Sequence, residues 1–122
     1  MGGAFNTMEI KIITDSITRS ALTTSALQSV DGSFVKGVVD LGRGVMAIGG
    51  ELHADEETTL LEDGSTQGDL WGINLYLDRQ GDDWIEFDSM INIRPRQGNR
   101  SRSVEDPAIR AKIVSIVNKL VI

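Results

Sequence analysis

Cysteine is absent from this 122-residue chain, which excludes disulfides and thiolate metal sites and fits a reducing, cytoplasmic setting. Aromatic residues make up only 5%, so an extended base-stacking track along a nucleic acid has little to build on. Proline occurs twice and histidine once, so any imidazole chemistry must fall to His53. No apolar run approaches the roughly 18 residues that span a bilayer, and the expectation is no membrane partner.

What is present describes a single α+β domain. Hydrophobic content is 40% and charged content 25%, ordinary for one globular core. Residues 1–7 (MGGAFNT) read as a flexible leader before a domain over 8–122. Glu9–Thr14 alternates as a first strand, and Asp15 and Ser16 are placed to cap a helix through Ser20, Ala21, Leu22 and Leu27, broken at Ser29–Ser33. Val35–Leu41 and Val45–Leu52 flank Gly42-Arg-Gly44 as a hairpin. A short helix from Asp55 ends before Gly64. Trp71–Leu77 and Trp84–Ile93 are expected strands around a polar turn. A last helix is capped by Asp106, begins at Pro107 and carries an Ile109, Ile113, Ile116, Val117, Leu120 stripe. The order β-α-β-β-(α)-β-β-α implies a two-layer sandwich: a mainly antiparallel sheet of about five strands with helices on one face.

Charge is distributed unevenly. Net charge is −6, yet residues 51–88 hold twelve acids and one base, Arg79, whereas Arg94, Arg96, Arg100 and Arg102 crowd into nine positions without an acid. Such closeness calls for an anion, an acidic patch or solvation to offset the repulsion. Guanidiniums offer forked donors, and Gly98-Asn99 permits close backbone approach, so Arg94, Arg100, Arg102 and Asn99 are anion-binding candidates. The rival is that the arginines already pair with the chain's own carboxylates.

Strand parity gives this loop a setting. In Trp71–Leu77 and Trp84–Arg94 the odd positions are mostly apolar, and the even ones include Asn74, Tyr76, Trp84, Glu86, Asp88, Met90, Asn92 and Arg94. If the preceding strand runs on regularly, Glu51 and His53 join this polar face; a bulge at Gly49-Gly50 would reverse them. His53, Glu51, Glu86 and Asp88 are therefore the candidate proton-transfer residues. The pairs Glu51-x-His53 and Glu86-x-Asp88 lack a known metal spacing, so neither a metal nor a cofactor is expected. Trp84, Met90 and Tyr76 are poor choices for a merely wet face and suggest that something covers it.

The segments Gly49-Gly-Glu-Leu-His-Ala-Asp55, Leu70-Trp-Gly-Ile-Asn-Leu-Tyr76 and Ile85–Pro95, with Gln97–Arg102 and Val104-Glu-Asp-Pro107, resemble the small prokaryotic family called domain of unknown function 5674. The similarity runs from Met8 to the C-terminus. It implies one compact domain and no particular activity, and it favours Arg94, Arg100 and Arg102 over Arg96 as site residues.

Three functional expectations follow. One is an RNA- or phosphodiester-directed protein such as a small ribonuclease, His53 or Glu51 moving the proton and the arginines holding phosphate. Its polar sheet face is similar in kind to that of RelE-like ribonuclease toxins, without a motif in common. Another is a non-catalytic homo-oligomer or protein partner, in which acidic segment 51–63 meets arginine loop 94–102. The third is an enzyme for a phosphorylated or carboxylated small molecule.

Overall fold

A computed structural model describes residues 10–26 and 34–122. The expected leader, Leu27 and the Ser29–Ser33 break lie outside the described residues. Five strands, β1 (Lys11–Ile13), β2 (Phe34–Asp40), β3 (Val45–Ile48), β4 (Leu70–Tyr76) and β5 (Ile85–Glu86), form one sheet in the order β1-β3-β2-β4-β5. Every neighbouring pair is antiparallel, as the hairpin signals predict. Three helices complete the α+β fold: α1 (Arg19–Ala26), α2 (His53–Glu62) and α3 (Pro107–Leu120).

Period-two patterning sorts the two faces. Val35, Val39, Met46, Ile48, Trp71, Ile73 and Leu75 point to one side, where Leu22 of α1 and Ile113, Val117 and Leu120 of α3 seal the main core. Helix α3 starts as its sequence dictates: Asp106 accepts from the Ala108 N–H at 2.8 Å and Pro107 opens the first turn. The cap of α1 differs from expectation. Thr18, nearer the helix than Asp15 or Ser16, accepts from the Ala21 N–H at 3.1 Å.

The layering also departs from a strict two-layer sandwich. Helices α1 and α3 share one face as expected, but α2 crosses the other, setting Leu60 against Val38, Val45, Ala47 and Leu70. Val38, Val45, Ala47 and Leu70 sit at the parity opposite the main core, and such apolar positions need a cover. Gly64, at φ 105°, ends α2 with the paired bonds Ser65 N–H to Leu60 O (2.9 Å) and Gly64 N–H to Leu61 O (3.2 Å). At ten residues, α2 covers only part of its face.

The expected strand Trp84–Ile93 is the largest correction. Only Ile85 and Glu86 pair with β4. Trp84 ends a 3₁₀ turn (Gly81–Trp84) and is buried in the main core, not on the polar face, with the Arg19 guanidinium 4.2 Å from its ring centroid. Beyond Asp88 the chain folds over β4, because Gly72 leaves room for it: a Cβ on Gly72 would lie 2.5 Å from Ser89 Cβ. Asn92 then takes the place of a strand partner, accepting from the Gly72 N–H at 2.8 Å and donating to the Gly72 carbonyl at 3.0 Å. Thus Asn92, expected on an open polar face, is wholly buried.

Candidate functional site

The uncovered part of the α2 face forms a cleft of about 390 Å³. Its floor is a row set by strand register: Lys36 of β2 lies opposite Asn74 of β4, which lies opposite Glu86 of β5. One step along, Phe34 faces Tyr76, and their rings stack 5.2 Å apart. The first turn of α2 supplies one wall through Leu52, His53 and Ala54; Asp88, Met90, Ile91 and Arg102 supply the other side.

His53 reaches this row from a helix rather than along a strand. Strand β3 stops at Ile48, and Gly49 turns with φ 98°. His53 thus lies on the face that strand parity predicts, but is carried there by a helix start. Its Nε2 lies 2.8 Å from the Ile73 carbonyl. A carbonyl only accepts, so Nε2 carries the hydrogen and Nδ1 is the basic atom of the neutral ring. Burial pushes the imidazole below its ordinary value of 6.5; the Ile73 carbonyl opposes this, Lys36 adds to it, and Asn74 and Asp88 oppose it. His53 is therefore held neutral and basic at neutral pH.

Glu86 Oε1 accepts from Asn74 Nδ2 at 2.9 Å and from the Tyr76 hydroxyl at 3.0 Å. Neither bond uses Oε2. Asp88 Oδ1 accepts from Arg102 Nε at 2.7 Å, an ion pair between half-exposed side chains. Lys36 Nζ donates to the Glu51 backbone carbonyl at 2.7 Å. The Glu51 side chain is exposed and is not among the residues that line the cleft. Leu52, at the N-cap of α2, caps no N–H with its side chain. In that turn the Asp55 and Glu56 N–H groups bond the Leu52 carbonyl at 3.1 and 3.4 Å, and both residues add negative charge to the helix start.

The arginine loop is divided among different tasks. Arg94 is built into the fold: its guanidinium lies 4.7 Å from the Trp71 ring centroid, Nε donates to the Ile91 carbonyl at 3.0 Å, and Nη2 bonds the Leu70 carbonyl and faces Glu57 Oε2 at 3.8 Å. Asn99 is a buried hub. Its amide donates to the carbonyls of Asn92, Ser101 and Ser103, and its Oδ1 accepts from the Glu105 N–H. With those bonds made, the Asn99 side chain has no donor left over for an anion. The Glu105 carboxylate accepts from the Ser101 hydroxyl and the N–H groups of Arg100 and Ser101, which hold it below the usual carboxylate range. Arg100 is exposed outside the cleft. Of the four arginines only Arg102 lines it.

Of the eight site residues expected from sequence, the structure gathers His53, Glu86, Asp88 and Arg102 and leaves Glu51, Arg94, Arg100 and Asn99 outside. Sequence reasoning singled out neither Lys36 nor Asn74 as a site residue. For Asn74 the signal was available, since a lone amide between Ile73 and Leu75 in an apolar strand is a buried polar group that requires partners. Among the described residues, no group of three or more His, Asp or Glu side chains is placed to hold a metal ion, and no helix is long and apolar enough to cross a membrane.

The family model described as Protein of unknown function (DUF5674) matches residues 11–120. The chain belongs to the DUF5674 family. That span takes in β1 through α3, and with them every residue of the cleft. No curated protein and no solved structure matches this DUF5674 chain.

Proposed function

We propose that the cleft engages a single phosphodiester of single-stranded RNA and acts on it as a small ribonuclease, with His53 as the proton acceptor. The observation that carries this reading is an imidazole, bonded through Nε2 to the Ile73 carbonyl and held neutral by burial, in one cleft with the cations Lys36 and Arg102, donors suited to a phosphate. In the reaction His53 Nδ1 takes the proton of an attacking hydroxyl. That oxygen bonds to phosphorus, the bond from phosphorus to the leaving oxygen breaks, and the leaving oxygen recovers a proton from the imidazolium. Arg102 and Lys36 stabilise the charge developing on the phosphoryl oxygens.

A long basic track for RNA has no support, because Arg94 and Asn99 are spent on the fold. The alternative, an oligomer in which segment 51–63 of one copy meets loop 94–102 of another, is weakened because Arg94 already faces Glu57 of its own chain. It predicts salt-sensitive self-association. A small phosphorylated metabolite would use the same donors and serves as a competitor in the assay.

The test is incubation of the purified protein with a short single-stranded RNA at low salt, with and without divalent cation, followed by anisotropy and gel electrophoresis. Arg102→Ala should weaken binding about tenfold, the worth of one charge-assisted hydrogen bond. His53→Ala should keep binding and slow cleavage by roughly 10²-fold or more. Absence of both binding and cleavage under all of these conditions would rule the proposal out.

A further inference from the structure

The floor of the cleft carries a hydrogen-bonding demand that a phosphate cannot meet. Asn74 is only 6% exposed, and its Nδ2 donates to two acceptors, Glu86 Oε1 at 2.9 Å and the Asp88 carbonyl at 3.2 Å. Those acceptors fix the orientation of the amide, since a flipped group would set oxygen against oxygen. Asn74 Oδ1 is thereby left buried without a hydrogen bond while the neighbouring His53 ring is neutral, since only the protonated ring would donate to it. Such an acceptor is costly to leave unpaired and gains most from a ligand that brings an O–H or N–H. Phosphate oxygens only accept, so the ligand must carry its donor next to the anion.

The mouth of the same cleft is apolar. Leu52, at the start of α2, is 57% exposed, and Met90, on the turn after β5, is 64% exposed. Two large apolar side chains left open beside a buried polar floor fit a flat, partly apolar group such as a nucleobase, and a methionine adapts readily to an aromatic face. A cleft near 390 Å³ is at the small end of ligand sites. That size suits one nucleotide rather than a duplex.

We infer that the cleft selects ribose over deoxyribose: Asn74 Oδ1 accepts from the 2′-hydroxyl of one unstacked ribonucleotide whose base rests against Leu52 and Met90. This rests on the phosphodiester reading above and names what that site recognises. The 2′-hydroxyl is the donor that distinguishes RNA from DNA, and it stands next to the backbone phosphate that Arg102 and Lys36 would hold.

Substituting the ligand decides the matter without altering the fold. Anisotropy is measured on a six-nucleotide single-stranded RNA, the same sequence as DNA with deoxyuridine for uridine, and the 2′-O-methyl RNA, which keeps the oxygen and loses the donor. His53→Ala protein is run in parallel so that cleavage does not remove the probe. RNA should bind about tenfold tighter than both others, the worth of one satisfied buried acceptor. Met90→Gln and Leu52→Ser, both at exposed positions, should weaken RNA and DNA alike. DNA or 2′-O-methyl RNA binding as tightly as RNA would overturn ribose selection and leave the phosphodiester reading standing. If none of the three binds, both fall.

Discussion

The Arg94 guanidinium lies against the Trp71 ring, 4.7 Å from its centroid, and faces Glu57 on α2, so one side chain of the arginine loop ties β4 to the helix across the sheet. The pair is mostly buried, with side-chain exposures of 10% and 13%. Truncating Arg94 would strip hydrogen bonds from the Ile91 and Leu70 carbonyls and leave the Glu57 carboxylate nearly dry and unpaired. Arg94→Ala should therefore lower stability by about 2–4 kcal/mol. Arg100→Ala, at an exposed position two residues from Arg102, should stay within about 0.5 kcal/mol of wild type. Urea unfolding of the two variants measures the contrast, and equal midpoints would show that Arg94 is a surface charge after all.

That contrast also marks how far the sequence could be read. Periodicity fixed the sheet face of Ile73, Leu75 and Asn74, because period two is a local rule that holds wherever a strand is regular. It failed at Trp84 and from Ser89 onward, where the backbone leaves the strand for 3₁₀ turns and parity has no meaning. The cause is Gly72, a residue distant in sequence whose missing side chain lets Ser89 settle on β4. His53 reached the expected face by a different route, a helix start in place of a continued strand. The four arginines look equivalent as letters. Only the tertiary partners, Trp71 and Glu57 for Arg94 and Asp88 for Arg102, separate structural cations from the one at the cleft.

The pH response of the cleft follows from His53. Its folded pKa lies below the ordinary 6.5, so between the two values the unfolded chain binds more protons than the folded one. The His53 contribution to stability is then fully present above about pH 6.5 and is lost as pH falls toward the lowered folded value. Cleavage of RNA should lose activity lower still, as pH falls through the folded value and the base becomes protonated. A pH–rate profile with an acid limb above 6.5 would contradict the buried, neutral imidazole.

Glu56 should show the opposite sign. Its side chain is fully buried on α2, Oε2 accepts from the Gly50 N–H at 2.9 Å, and Oε1 has no partner. Burial pushes this carboxyl well above the usual carboxylate range, against the Gly50 N–H and Lys36. The folded state therefore holds a proton that the unfolded state releases, and this residue's contribution falls as pH rises from about 4.5 toward the folded value. Glu56→Gln fixes the neutral form in nearly the same shape. The variant should match or exceed wild-type stability at pH 7–8, with the difference shrinking as pH drops from the folded value toward about 4.5. Urea midpoints across this range test it, and a glutamine variant weaker at pH 8 than at pH 4, relative to wild type, would refute the assignment.

Gly72 and Ser89 form the contact on which the wall of the cleft depends. Adding a Cβ at position 72 places it 2.5 Å from Ser89 Cβ and 3.2 Å from Ile91 Cγ1, so the segment carrying Met90 and Ile91 must move. The backbone of Gly72 cannot retreat, because β2 pairs it with Val38 on one side and the Asn92 amide bonds its N–H and carbonyl. Gly72→Ala should cost about 1–3 kcal/mol through overpacking. Ser89→Gly clears the nearest colliding atoms, at the loss of its hydroxyl bond to the Ile91 N–H. The double variant should therefore recover part of the loss, giving a coupling of roughly 0.5 kcal/mol or more in a double-mutant cycle. Because the displaced segment is also the wall beside Ser89, Gly72→Ala should weaken RNA binding more than its stability cost alone predicts, and the second substitution should restore that as well. Strictly additive unfolding energies would show that the two residues do not meet.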